Sequence, residues 1–246
     1  MSIQSDVARG GALKPLRPVE LAWLVGVPTA LNAIACRVAL PHLDARDLFP
    51  IELTYFLCVG LLALAPMFVW ALYLSARESP TTRPRDVLAR MRVKRIDALD
   101  WAWAVATFIA LSGASFVIAD VVMPRLSLDA TPFFFRNMPL ASGDRWILAV
   151  WPLFFFFNIF GEEFFWRGYV LPRQELLTGR WTWLGHGLFW AVWHIPMGFD
   201  LILASFPIFF ILPAVVQVRG NTSIAIVVHA VFGAFGFLAL ALGLLH

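Results

Sequence analysis

Long apolar runs recur along this chain and restrict its fold more than any other feature. Near 19–41, 51–76, 101–123, 146–171, 181–199, 201–218 and 222–245 lie stretches of the length, about 20 residues, that a membrane-spanning helix needs. No water reaches a bilayer core to satisfy a backbone N–H or C=O, so such a run reads as a helix that hydrogen-bonds within itself. The expected fold is all-α, a polytopic membrane bundle of about seven helices. Composition agrees: 60% of the 246 residues are hydrophobic and 14% are charged, against roughly 45–50% apolar content in soluble domains. Trp101, Trp103, Trp146, Trp181 and Trp183 fall where apolar runs begin, as interfacial belts require. Pro207 and Pro213 are placed to bend or shorten one span, and Phe133–Phe135 reads as a re-entrant or interfacial piece.

The links carry the topology. Arg9, Lys14 and Arg17 precede the first span, and Arg77, Arg83, Arg85, Arg90, Arg92, Lys94 and Arg95 join the second to the third. Basic links stay in the cytoplasm, which puts the N-terminus there together with Arg173, Arg180 and Arg219, and the links around Asp44 and Asp129 outside. The 77–95 cluster reads as a topology determinant or as a contact with anionic lipid or an acidic partner. No cleavable signal peptide is visible. Cys36 and Cys58, both within apolar runs, read as small buried thiols. A cell-membrane location follows, with the bilayer as one partner and no nucleic acid among the others.

Charge inside the spans is concentrated in the second half. The chain therefore divides into residues 1–100, supporting helices with a basic cytoplasmic link, and residues 101–246, a reactive core. In the first half Asn32 and Arg37 read as packing and interface residues. In the second, Glu162 and Glu163 stand side by side with Arg167 four residues on, where each charge at the bilayer centre costs about 2.5 to 3.5 kcal/mol. Positions four apart stack on one helix face, so Glu163 faces Arg167 and Asn158 faces Glu162. The twins are thereby separated: Glu163 is neutralised by a guanidinium, and Glu162, about 100° round the helix, is the candidate for proton transfer. His194 and His229 recur in later apolar segments. A rise of about 1.5 Å per residue puts Glu162 ~13 Å, His229 ~10–12 Å and His194 ~20 Å from their expected cytoplasmic ends, so the three can meet in one cavity. His186 near a boundary reads as interfacial, and His42 and His246 as surface groups.

Three motifs in order carry a resemblance. Glu162 to Gly168 (EEFFWRG) matches EExxxRG, Trp190 to His194 (WAVWH) is similar to FxxxH with Trp for Phe, and His229 opens HAVFG where HxxxN is expected. Together they resemble the CPBP family of CAAX prenyl endopeptidases and bacteriocin-processing (Abi) proteins over about residues 100–245. The resemblance implies an intramembrane glutamic endopeptidase acting on a membrane-associated or lipidated protein or a peptide precursor. By position it makes Glu162 and His194 the water-activating pair, Glu163 and Arg167 the supporting pair, and His229 an oxyanion donor. Gly233 departs from it, standing where the motif has Asn. The lost donor leaves an impaired protein or a substitute, for which Asn158 or an ordered water is the candidate, and Gly233 also reads as a small residue that lets helices approach. No cofactor is expected, since HExxH is missing, although a Glu, His, His set can also hold zinc. Two rivals stand beside the protease: a catalytically silent scaffold or immunity protein of the same family, and a proton-coupled transporter, the latter opposed by the lack of an internal repeat.

Overall fold

The computed structural model describes residues 13–129 and 131–244. Arg9 and His246 lie outside the described residues. Every regular element among the described residues is helical, and the chain is a polytopic membrane helical bundle. Five helices are long and apolar enough to cross a membrane by length and composition: α1 (Pro18–Asp44), α2 (Ile51–Glu78), α3 (Ala98–Arg125), the rod Ile147–Met197 and the last helix, Thr222–Ala241.

The rod Ile147–Met197 is two antiparallel arms. Thr178 bonds Thr182 at 2.7 Å, Gln174 Oε1 meets His186 Nδ1 at 2.6 Å, and Glu162 Oε2 accepts from Trp190 Nε1 at 2.7 Å. Partner numbers move apart in step from the turn, as a helical hairpin demands. Gly179, at φ 56° and ψ −131°, makes the reversal in a backbone region nearly closed to residues with a Cβ. Residues 147–178 are therefore α4 and Thr182–His194 is α5. Phe206–Arg219 is α6 and Thr222–Ala241 is α7. The expected span 201–218 is shorter than predicted: the chain breaks at Ser205, and α6 starts with Pro207 in its first turn, where a missing N–H costs no intrahelical bond. Its 14 residues fall short of the roughly 20 a bilayer requires, and α5 covers it instead. At Gly187 a Cβ would lie 2.6 Å from the Phe209 carbonyl oxygen, so the two backbones pack closer than any side chain would permit.

The polar links gather at two opposite ends. At one, Glu78 accepts from the Tyr169 hydroxyl at 2.9 Å and pairs with Arg90 and Arg173, while Arg92 pairs with Glu175 at 2.8 Å. There too Asp97 caps α3, Asn221 caps α7, and Asp100 joins the two caps through Arg219 at 2.8 Å and Asn221 at 2.8 Å. At the other end Arg136 binds Asp44 at 2.9 Å, and Glu52 accepts from the Asn137 backbone N–H at 2.9 Å. Arg90, Arg92, Arg173 and Arg219, all expected on one side, thus share one end of the bundle. Phe133–Phe135 is a single tight turn that plugs the other end, with Phe134 stacked 3.8 Å from the Tyr55 ring.

Two further expectations are corrected. His186 is not interfacial: it is fully buried, because Gln174 in the facing arm of the hairpin gives its ring a polar partner. The α4 helix continues to Thr178, seven residues past its expected end at 171. Gly168, pressed against Met91, is level with the start of α7, where Thr222 bonds the Met91 carbonyl at 2.8 Å. The last turns of α4 therefore reach past the start of α7, beside the start of α5 and the end of α6, and a depth counted from its true end misplaces Glu162. His42 is exposed beside Arg46, and Asn32 is a packing residue, donating to the Trp193 carbonyl at 2.9 Å. Cys36 and Cys58 are buried free thiols.

Candidate active site

The reactive segment of α4 is wound wider than an α-helix. Phe157–Gly161 and Glu163–Val170 follow the i→i+5 pattern of a π-helix. Four residues no longer complete a turn there, which changes who meets whom. Asn158 still reaches Glu162, its Nδ2 donating to Oε1 at 2.7 Å. Glu163 and Arg167 remain an ion pair, with Nε 3.4 Å from Oε2, but no hydrogen bond closes between them. The guanidinium instead lies over the Trp190 ring, its central carbon 3.4 Å from the ring centroid.

Three helices bring the remaining groups together. From α5, Trp190 donates its indole N–H to Glu162 Oε2 at 2.7 Å. One turn later His194 sets its Nδ1 2.9 Å from the Trp190 carbonyl oxygen. A carbonyl only accepts, so Nδ1 carries the proton and the Nε2 lone pair points away from α5's backbone. That lone pair lies 4.0 Å from Glu162 Oε2. From α7, His229 donates Nδ1–H to Glu163 Oε1 at 2.7 Å. Glu162, Glu163 and Arg167 are buried, while the side chains of His194 and His229 each retain 12% exposure. The imidazoles are thus the accessible rim and the carboxylates the floor.

All six residues singled out in the sequence, Asn158, Glu162, Glu163, Arg167, His194 and His229, fall in this one cluster. Two relationships escaped sequence reasoning. Glu163 is shared between Arg167 on its own helix and His229 from α7, a tertiary contact with no local signal. Trp190 is the second: a helix turn before His194, it faces the same way, and that spacing is the clue its indole offered. Gly233 follows His229 by one turn on α7, and a Cβ there would touch the Phe155 ring at 3.4 Å. Among the described residues no three His, Cys, Asp or Glu side chains are arranged to hold a metal ion.

A comparison with curated proteins found no match, and neither did one with solved structures. Residues 144–235 match a family model, Type II CAAX prenyl endopeptidase Rce1-like, and this segment carries Glu162, His194 and His229. On that match, the motifs and the helical bundle that holds them, the segment 144–235 is similar to the CPBP/CAAX protease family, a family of membrane peptidases.

Proposed function

We propose that the chain is an intramembrane glutamic endopeptidase in which Glu162 and His194 activate one water. The observation that carries this reading is the 4.0 Å between Glu162 Oε2 and His194 Nε2. Both atoms are acceptors, and 4.0 Å is too far for a direct hydrogen bond but suits one water donating a proton to each. Such a water keeps its lone pairs free for a peptide carbonyl. On attack its oxygen bonds to the carbonyl carbon, one proton passes to Glu162, and the C=O pair moves onto oxygen. Collapse breaks the C–N bond as Glu162 returns that proton to the leaving nitrogen. Asn158 and Trp190 hold the carboxylate in place through the cycle.

His229, fixed by Glu163, presents Nε2 to the oxyanion, donating as imidazolium with Glu163 as counter-charge. Asn158 has a second amide N–H beyond the one given to Glu162, and this stands in for the donor that Gly233 lacks. Arg167 balances the carboxylate pair. Residues 1–100 act as support, their Asn32 and Glu78 bracing α5 and α4. The positive-inside rule favours a cytoplasmic N-terminus in the cell membrane and cleavage near the cytoplasmic face. The substrate class is a membrane-associated or lipid-modified protein or a peptide precursor.

The test is an accumulation experiment. Cells carrying Glu162→Gln or His194→Ala should retain in the membrane fraction a precursor of higher mass that wild-type cells process. If both variants leave every membrane protein at its wild-type mass while bulky substitutions in the cavity abolish the phenotype, the silent-scaffold reading replaces this one.

A further inference from the structure

Trp190 touches more of the site than any motif assigns to it. Its indole N–H donates to Glu162 Oε2 at 2.7 Å, its ring carries the Arg167 guanidinium at 3.4 Å, and its carbonyl accepts from His194 Nδ1 at 2.9 Å. It is almost fully buried, with the Phe209 and His229 rings set near-perpendicular to it at centroid distances of 5.1 Å and 6.0 Å, so it has no room to turn. A glutamate's terminal torsion is broad and roughly two-fold, and nothing intrinsic to Glu162 selects which oxygen faces His194. Two donors do so together: Asn158 takes Oε1 and Trp190 takes Oε2. A carboxylate oxygen accepts more than one hydrogen bond, so the indole leaves Oε2 a lone pair for the water shared with His194.

We propose that Trp190 is a positioning residue for proteolysis: its indole N–H fixes the Glu162 carboxylate toward His194 while its ring seats the charge-balancing Arg167. The proposal rests on the glutamate–histidine mechanism above. Trp190→Phe separates the two duties, because a phenyl ring still faces Arg167 and Phe209 but donates nothing.

The full-length protein in lipid nanodiscs would be assayed with a quenched-fluorescent peptide bearing a farnesylated cysteine four residues from its C-terminus. In parallel, indole 1H–15N resonances would be recorded from 15N-tryptophan protein, the Trp190 signal being the one that vanishes in Trp190→Phe. Losing one hydrogen bond to a charged group should lower kcat about 10- to 100-fold with KM nearly unchanged. Glu162→Gln should move the Trp190 resonance more than any other indole signal. Wild-type kcat in Trp190→Phe, or a Trp190 resonance indifferent to Glu162→Gln, overturns the proposal. A wild type inert toward the peptide whose Trp190 resonance still moves retains Trp190 as the holder of Glu162 and counts against the protease reading alone.

Discussion

His229 donates to Glu163 across 2.7 Å, joining α7 to α4 over 66 residues of sequence. The same carboxylate lies 3.4 Å from Arg167, so one anion serves two cationic or potentially cationic groups in a buried setting. Removing it should cost more than either contact alone. Glu163→Ala leaves Arg167 uncompensated in the core, and breaking a buried pair costs about 3–5 kcal/mol. We expect a large fall in thermal stability and no hydrolysis, read by melting in detergent. Glu163→Gln, which still accepts from His229, should recover part of the fold and little of the activity. A melting temperature unchanged in Glu163→Ala would refute this role.

Arg167 should not tolerate lysine. The guanidinium carbon sits over the Trp190 ring, 3.4 Å from its centroid, a contact that an ammonium on a flexible stem does not reproduce. A desolvated cation–π contact is worth about 2 kcal/mol, and Arg167→Lys is expected to lose stability of that order. Denaturant unfolding in mixed micelles measures it, and equal midpoints would show that charge alone suffices.

Asn158 has two duties in the proposed mechanism, holding Glu162 and completing the oxyanion site. Asn158→Ala should lower kcat by about 100- to 1000-fold, the usual effect of one oxyanion donor. Activity left untouched removes Asn158 from the machinery. Gly233→Asn supplies the motif's missing side chain at the edge of Phe155, and in an Asn158→Ala background it should restore part of the lost rate.

The hairpin partner of the site depends on backbone proximity. In Gly187→Ala the new methyl would meet the Phe209 carbonyl at 2.6 Å, forcing α5 from α6 at a cost of about 1–3 kcal/mol, typical of overpacking. Gly185→Ala, with nothing within 4 Å, is the matched control and should melt like wild type. Alanine is the better helix former, so a Gly187→Ala variant as stable as Gly185→Ala would show that the close approach does not matter.

In the proposed mechanism Glu162 and His194 activate the water without a metal. Activity should survive exhaustive dialysis against a strong chelator. A stoichiometric metal lost together with activity, and restored with it, would overturn this.

What the sequence alone determined is the membrane character, the helical class and the identities of the chemical groups. These follow from local physics: an apolar run of sufficient length has only a self-bonded helix available in lipid, and charges inside it stand out by their cost. Spacing along one helix was also legible, since Asn158 and Glu162 meet as a four-residue separation predicts. The tertiary structure decided the rest. Along the π-helical winding from Glu163 to Val170 the expected Glu163–Arg167 ion pair forms without a hydrogen bond, and Arg167 lies over a tryptophan 23 residues on. The break at Ser205 and the extension of α4 to Thr178 depended on what packs alongside, as did the burial of His186 against Gln174. Above all, the 4.0 Å between Glu162 and His194 and the hydrogen bond from His229 to Glu163 arise between helices. Such distances are set by how side chains interlock across an interface, and no pattern within a single apolar run encodes them.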